Sequence, residues 1–266
     1  MSNIGKIYNR SPLKQIFEII GLDYQSRSLY RRLQEWKSGV RNIEVDDTSG
    51  RFADSTLIGD QYLEAELAVL SDLLKEIRSD DVFYDIGADA GLYTVLVATK
   101  VPPECLISFE PHPLRRESLQ RNLERNSVEA TIRTEALGNK SGSVKLSYAL
   151  HTDETNEMAE TGLEGFSVEV NRADNLIPEE LPPPNVVKID VEGAELSVLK
   201  GFGNILNDSS CRVIYIEVHD KITNFGGNKR ELISLLNQNG YKIREMLKRQ
   251  TGQTEELFIK AVNISD

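Results

Sequence analysis

The sequence predicts an α/β fold: a seven-stranded, mostly parallel sheet with helices on both faces, an antiparallel strand pair at the C-terminal end, and a small N-terminal helix-and-hairpin extension. Three observations lead there. From Gln61 onward, short apolar runs alternate with segments of helical periodicity, the pattern of parallel strands joined by crossover helices. After residue 240 the alternation stops, and two strand-like runs follow one another across a short polar connection. Of 266 residues, 39% are hydrophobic and 27% charged, enough for one large core and unlike a disordered, collagen-like or disulfide-stapled chain.

We divide the chain into an extension, residues 1–58, and a main domain, residues 59–266. In the extension, Pro12 opens an apolar segment, Leu13 to Ile20, that Gly21 ends. Leu29, Leu33 and Trp36 then recur at helical spacing beside Arg31, Arg32 and Lys37. That stripe is expected to pack on the main domain, the alternative being a membrane surface or a partner. Alternation in Ile43–Asp46 and Arg51–Ala53, on either side of Asp47-Thr48-Ser49-Gly50, predicts a hairpin turning at those four residues.

In the main domain, Leu63, Leu67, Leu70, Leu74 and Ile77 mark an amphipathic helix. The strand-like runs are Val82–Ile86, Cys105–Phe109, Ala130–Ala136, Val186–Ile189 and Arg212–Val218, and the helical segments between them are Leu92–Thr99, Pro113–Asn126 and Ala194–Lys200. A helix over Lys229–Asn237 precedes the closing pair, Tyr241–Leu247 and Glu256–Val262, joined by Lys248–Thr254. Strands are also expected at Val144–Tyr148 and Phe166–Asn171, separated by a polar stretch, His151–Gly165, that reads as a lid or substrate loop or simply a mobile loop.

A net charge of −11, from 42 acidic and 31 basic residues, repels phosphate backbones and argues against a nucleic-acid partner. No run approaches the length of a membrane span, and the first fifteen residues lack the apolar core of a secretory signal. Cys105 and Cys211 lie far apart and read as reduced core residues. The expected setting is soluble and cytoplasmic.

Polar residues gather where four of the strands end. The first group is Asp85-Ile86-Gly87-Ala88-Asp89-Ala90-Gly91, a turn leading from strand to helix. Gly87 permits a tight turn and close approach of a ligand, and Gly91 lets the helix pack near the strand. A dinucleotide turn would read G-x-G-x-x-G and face a pyrophosphate. Here Asp85 and Asp89 would repel phosphates and suit a cationic ammonium and sulfonium, as in S-adenosylmethionine. The second is Glu110, which follows the turn at about the spacing where an acidic residue meets ribose hydroxyls; otherwise it is a solvated carboxylate capping the helix that begins near Pro113.

The third group is Lys188-Ile189-Asp190-Val191-Glu192-Gly193-Ala194-Glu195. Lys188 and Asp190 share a strand face. A lysine in a strand buried on both sides needs a carboxylate partner, and Asp190 stands at the tip, where open α/β sheets bind ligands. Glu192 and Glu195 also suit the first turn of a helix through its dipole. The fourth group is Glu217 and His219 on one face of the last parallel strand. If that strand neighbours Lys188–Asp190, then Asp190, Glu192, Glu217 and His219 converge. Such a cluster could deprotonate an alcohol or bind a divalent ion. His112 lies beside Glu110 and His151 in the polar loop.

In order along the chain, the Glu-bearing helix, DIGADAG, SFEP, TEALGNKSGSVKL, VKIDVEGAELSVLKG and IEVH resemble a class I S-adenosylmethionine-dependent methyltransferase of the FkbM family. The resemblance covers roughly Gln61 to His219 and, with the closing strands, reaches about Val262. DVEGAE is its most selective part, and Asp89 stands where family members often carry asparagine. It implies a Rossmann-like sheet in which Asp85, Gly87, Ala88 and Gly91 surround the methionyl part of the cofactor. Glu110 then holds the ribose, Glu135–Leu137 (with Glu135 and Ala136 foremost) lies beside adenine, and Asp190 borders both the cofactor's amino group and the acceptor. Glu64 or Glu66 reaches the cofactor from the upstream helix.

The implied chemistry is O-methylation of a hydroxyl or carboxylate on a saccharide, glycan or related natural product, with His219 as base oriented by Glu217 or Asp190. Lys188, Glu192 and His151 are the acceptor-side candidates. The expected partner is a small-molecule or glycan acceptor, lipid-linked acceptors included. The polar loop favours a saccharide over a polyketide-like acceptor. Asp190, Glu217 and His219 also form a set that a divalent metal could use, which the chemistry does not require. The competing readings are a nicotinamide-dependent oxidoreductase, opposed by the acidic turn, and a non-catalytic scaffold, opposed by polar groups at all four strand exits.

Overall fold

A computed structural model describes residues 35–53, 60–147, 165–251 and 254–265, together with residues 29, 33 and 56. In chain order the strands are β1 (Val40–Val45), β2 (Thr48–Ala53), β3 (Phe83–Ile86), β4 (Leu106–Phe109), β5 (Thr131–Arg133), β6 (Ala136–Leu137), β7 (Gly142–Ser147), β8 (Gly165–Asn171), β9 (Val186–Ile189), β10 (Val213–Val218), β11 (Tyr241–Thr251) and β12 (Thr254–Asn263). The helices are α1 (Asp60–Glu76), α2 (Leu92–Val97), α3 (Pro113–Asn126), α4 (Ala173–Leu176), α5 (Glu195–Phe202) and α6 (Lys229–Gln238). No helix among the described residues is long and apolar enough to cross a membrane.

The main sheet has seven strands in the order β11-β12-β10-β9-β3-β4-β5. The five from β10 to β5 are parallel, while β12 runs antiparallel to β10 and β11 antiparallel to β12. This is the predicted architecture. Every residue of β3, β4, β9 and β10 is buried, as strands covered on both faces require. On one face Tyr84, Ile86, Val187, Ile189, Ile214 and Ile216 share a core with Leu196 and Leu199 of α5 and Leu232 and Leu236 of α6. On the other, Phe83, Val186, Val213 and Tyr215 pack with α1, α2 and α3 and with Ile43, Val45 and Phe52 of the β1–β2 hairpin.

The second face positions the site. Reading along it, Phe83 is followed by Asp85, Val186 by Lys188 and Asp190, and Tyr215 by Glu217 and His219. Each strand therefore changes from apolar to ionisable at its C-terminal end, on the same side. The register aligns these changes: Lys188 lies beside Asp85 on β3 and Tyr215 on β10.

Four details differ from expectation. The hairpin turns two residues earlier, centred on Asp46-Asp47, because Asp46 adopts the left-handed conformation (φ 52°), which aspartate tolerates. The run Ala130–Ala136 splits between two sheets. Beyond Arg133, whose side chain folds back onto Glu135 (2.6 Å), the chain leaves the main sheet, and β6 joins a three-stranded sheet in the order β6-β8-β7. The N-terminal stripe does not pack on the domain. Leu29, Leu33 and Trp36 are exposed, Trp36 by 80%, and the segment is held instead by buried Glu35, which accepts hydrogen bonds from Ser118 (2.6 Å) and Arg121 (2.7 Å) of α3. Strand β11 runs on through Arg249, so residues expected in the hairpin connection belong to the sheet. His151 and most of the polar stretch around it lie outside the described residues, as do Arg31 and Arg32.

Gly87 shows why the β3 turn needs glycine. Its φ is +80°, and a Cβ there would lie 1.8 Å from the carbonyl oxygen of Asp190. The close approach that the fold itself requires is to the backbone just beyond β9. Gly226 has a similar φ of +72° with nothing near its Cβ position. Gly226→Ala is expected to cost about 1 kcal/mol of backbone strain, and Gly87→Ala more than about 3 kcal/mol through strain plus backbone displacement. Urea unfolding of both variants checks the difference; equal losses would contradict it.

Candidate active site

At the C-terminal tips of β3, β9 and β10 the ionisable side chains meet around Lys188. Its ammonium donates to the carbonyl of Gly87 (2.9 Å) and to Asp190 Oδ2 (3.3 Å), and lies 3.6 Å from Asp85 Oδ1 and 5.1 Å above the Tyr93 ring. Burial opposes the charge on Lys188, but Asp190 and Asp85 outweigh it and keep the group protonated. Asp85 is fully enclosed; its Oδ2 accepts from Thr94 (2.6 Å), and Thr94 in turn bonds Ser108 (2.9 Å). Burial raises the Asp85 pKa, with Lys188 acting against it. Asp190 is more open, and although burial works against its ionisation, Lys188 and His219 hold it below the usual carboxylate range.

His219 stands on the other side of Asp190. Its Nε2 is 3.8 Å from Asp190 Oδ1 and 3.8 Å from Glu217 Oε1, while its Nδ1 is 2.7 Å from Glu195 Oε1. Burial disfavours the imidazolium, yet the Glu195 hydrogen bond and the Asp190 and Glu217 charges lift the pKa to about 10. Thus three of the four expected groups converge. Glu192 does not: it is half exposed and pairs with Lys221 at 3.1 Å. The carboxylate on the Nδ1 side of the ring is Glu195 rather than Glu217 or Asp190.

Glu217 is buried against a cation that the sequence did not single out. Arg249 of β11 donates through Nη2 to Glu217 Oε1 (2.5 Å) and through Nε to Glu256 Oε2 (2.6 Å), and its Nη1 lies 3.7 Å from Glu66 Oε1. Glu66 also accepts from the Tyr93 hydroxyl (2.6 Å), whereas Glu64 is exposed, so Glu66 is the residue of α1 that faces the cluster. Burial, then the Asp190 charge, raise the pKa values of both Glu217 and Glu66. The ligand atoms of Asp190, Glu217 and His219 lie within 4.8 Å of one another, the spread a divalent cation can bridge. Lys188 and Arg249 already supply positive charge to two of those three groups.

The second half of the site is the β4 exit. Glu110 is buried and accepts from the backbone N–H of Asp89 (2.7 Å) on one oxygen and of His112 (2.8 Å) on the other. Burial pushes its pKa up to about 7, with Arg115 opposing and Asp89 adding to the rise. It is neither solvated nor the helix cap. That role falls to His112, whose Nδ1 accepts from Leu114 N–H (3.2 Å) and whose ring stands edge-on to Phe166, 5.1 Å between centroids. Asp89 pairs with Arg115 (3.3 Å) and holds a left-handed φ of 48°, a conformation that aspartate and asparagine accept readily. Ala88 is buried in the turn, and Gly91 is packed under Leu119 of α3. Glu135 is buried and bonded to Arg133, with Ala136 following it at the start of β6.

Two residues of the cluster, Glu195 and Arg249, were missed as site residues for different reasons. Glu195 had a sufficient local explanation as a helix-start acid, and its pairing with His219 spans 24 positions. Arg249 follows a β-bulge between Glu245 and Leu247, which changes the face presented by every later residue of the strand. Removing its charge leaves buried carboxylates uncompensated. Arg249→Ala is expected to cost about 3 kcal/mol at pH 7.5 and clearly less at pH 5.5, where Glu66 and Glu217 take up protons in place of the lost cation. Urea unfolding at the two pH values tests this; an equal loss at both would mean that Arg249 acts through its packing over Phe258.

Comparison with known proteins places this geometry in a family. A family model described as the methyltransferase FkbM domain matches residues 85–243, which span the three strand exits and the start of β11. A hexuronic acid methyltransferase, AglP of Haloferax volcanii, is 32% identical over 200 residues, covering 71% of this chain and 81% of that protein. A methyltransferase of Beauveria bassiana is 27% identical over 62% of this chain and 73% of its own length. Among solved structures, a methyltransferase FkbM from Methylobacillus flagellatus aligns with 77% of this chain and 56% of its own, at 18% identity and a TM-score of 0.46. With its carboxylates, Lys188 and His219 gathered at the strand tips inside the matched segment, this chain belongs to the FkbM methyltransferase family.

Proposed function

We propose that the protein transfers a methyl group from S-adenosylmethionine to a hydroxyl oxygen of a saccharide, with His219 accepting the hydroxyl proton. The observation that carries this reading is the placement of His219. Its Nδ1 is bound to Glu195, and its Nε2 is turned toward Asp190 and Glu217 at the open end of the sheet. A base so oriented, next to carboxylates, suits an acceptor that must lose a proton. A carboxylate acceptor has no such proton and would be repelled by Asp190, Glu217 and Glu66. The relative named as a hexuronic acid methyltransferase supports a sugar as the acceptor class, and the reading here assigns the reacting atom to one of its hydroxyls.

The residues fit the cofactor. Each oxygen of Glu110 accepts one backbone N–H, leaving a lone pair on each for a ribose hydroxyl. Around Lys188 and Arg249 the carboxylates of Glu66, Asp85, Asp190 and Glu217 are in excess, so the site welcomes a net positive ligand. The β3 turn, with Gly87, Ala88 and Asp89, would cover its methionyl end, and Glu135 and Ala136 its adenine. When bound, S-adenosylmethionine supplies an electrophilic methyl on sulfur. The chain's own tasks are then to align the acceptor oxygen, which is worth several kcal/mol of barrier, and to receive one proton, which contributes about 10²–10⁴-fold. With its pKa near 10 in the free site, His219 begins as imidazolium at neutral pH, and a cation arriving beside Asp190 weakens the field that holds that proton.

Two measurements test this reading. Glu110→Ala should weaken S-adenosylmethionine binding by about 1.5–3 kcal/mol in calorimetry, the scale of hydrogen bonds to a charged acceptor. Wild-type affinity should fall below pH 7, where Glu110 takes up a proton; unchanged binding in the variant would remove Glu110 from the cofactor site. For the chemistry, a panel of neutral sugars, uronic acids, lipid-linked sugars and macrolides is incubated with methyl-labelled cofactor. The expected product is an alkali-stable methyl ether of a sugar, formed faster as pH rises from 6 to 9, and His219→Ala should lower turnover far more than cofactor affinity. An alkali-labile methyl ester, or a rate flat across that pH range, would contradict the base.

A further inference from the structure

The segment between Asp190 and the start of α5 is built to deliver one carboxylate to the back of the His219 ring. Glu192 and Gly193 both take positive φ, 56° and 113°. A Cβ on Gly193 would meet the Lys221 backbone at 2.9 Å, so the turn fits closely against the segment that follows His219. Lys221 also clasps Glu192 from that segment at 3.1 Å. The outcome is that Glu195, the first residue of α5, is fully buried instead of reaching solvent. Its Oε1 accepts from Gly193 N–H (2.7 Å) and faces His219 Nδ1 (2.7 Å), while its Oε2 is buried with no hydrogen-bond partner.

A buried carboxylate needs compensation, and a favourable helix dipole accounts for only part of it. Here the compensation is the imidazole. A carboxylate can only accept, so the proton of that hydrogen bond belongs to His219 Nδ1. The lone pair of the neutral ring is then on Nε2, on the side of Asp190 and Glu217. We infer that Glu195 is the positioning residue of the reaction, fixing His219 in the Nδ1–H tautomer so that Nε2 receives the acceptor's proton. The inference rests on the methyl-transfer reading above. In the step it serves, the acceptor oxygen forms its bond to the methyl carbon and its proton passes to Nε2. The carbon–sulfur bond breaks with its electron pair left on sulfur, turning sulfonium into thioether. The new imidazolium keeps its Nδ1–H on Glu195, whose negative charge stabilises it as it forms.

The variant that separates positioning from architecture is Glu195→Gln. Glutamine keeps the shape and an acceptor for Gly193 N–H, but its amide can also donate to Nδ1 and so admits the other tautomer. Glu195→Gln is expected to keep the wild-type melting temperature within a few degrees and cofactor affinity within about threefold, while kcat falls at least about tenfold at unchanged KM. The limb over which the rate rises with pH should move to lower pH, because one of the carboxylates that raises the His219 pKa has lost its charge. Nitrogen-15 spectra of the three histidines, recorded on protein saturated with S-adenosylhomocysteine above the His219 pKa, read the tautomer without any acceptor. His219, assigned with His219→Gln, should be Nδ1–H in the wild type and shifted toward Nε2–H in Glu195→Gln. A wild-type ring that is mainly Nε2–H would overturn the inference, as would an unchanged kcat in the variant. Parallel loss of stability, cofactor affinity and kcat would show a structural role only and overturn it too. A protein that binds neither S-adenosylmethionine nor its product fails the methyl-transfer reading instead, and spectra of the unliganded protein then decide the tautomer.

Discussion

The Lys188 ammonium is the interaction on which the rest of the site depends. It sits in the middle of the parallel sheet, where an unpaired charge would be prohibitive, and three partners from two strands meet it: Asp85, Asp190 and the Gly87 carbonyl. The third explains much of the local sequence. For the Gly87 carbonyl to face Lys188, the β3 turn must press against the β9 backbone, closer than any side chain would permit. The tips of β3 and β9 are thereby locked together, with Asp190 left as the most open member of the ion cluster. A lysine that looks out of place in a buried strand is what sets the geometry of the turn beside it.

Beyond Lys188 the charge is deliberately unbalanced. Glu66, Glu217 and Asp190 approach one another from a helix and two strands, with Arg249 brought in from the C-terminal hairpin to hold two of them. The pKa directions record the imbalance: Glu66 and Glu217 are raised, and His219 is raised to about 10. Such a cluster holds extra protons until a cation displaces them. A methyltransferase of this family that works on a cationic methyl donor would find a pocket already charged for it.

Much of this was legible in the sequence. Alternating strand and helix patterns gave the sheet, and the two-residue period put Lys188 with Asp190 and Glu217 with His219 on common faces. What remained illegible involved partners distant in sequence. Glu192 and Glu195 are equivalent as helix-start acids, and only the αL turn at Glu192-Gly193 decides that the first pairs with Lys221 while the second turns inward. Arg249 falls in what the sequence marks as a connection, because a bulge hides the alternation that shows it to be inward-facing. The Leu29, Leu33 and Trp36 stripe obeys helical spacing, yet it is Glu35 that holds the segment to α3. Periodicity reports an apolar face without saying what meets it.

The cluster at the tips of β3, β9 and β10 is negatively biased and proton-holding, which suits it to a cationic cofactor. Calorimetric titration with S-adenosylmethionine at pH 7.5, in buffers of different ionisation enthalpy, tests this most directly because it counts the protons exchanged on binding. The pKa values of Glu110, Glu217, Glu66 and His219 all stand above their ordinary values, and a cation lowers each of them. Net proton release is expected, larger for S-adenosylmethionine than for uncharged-sulfur S-adenosylhomocysteine. Binding with no proton exchange, or with proton uptake, would contradict it.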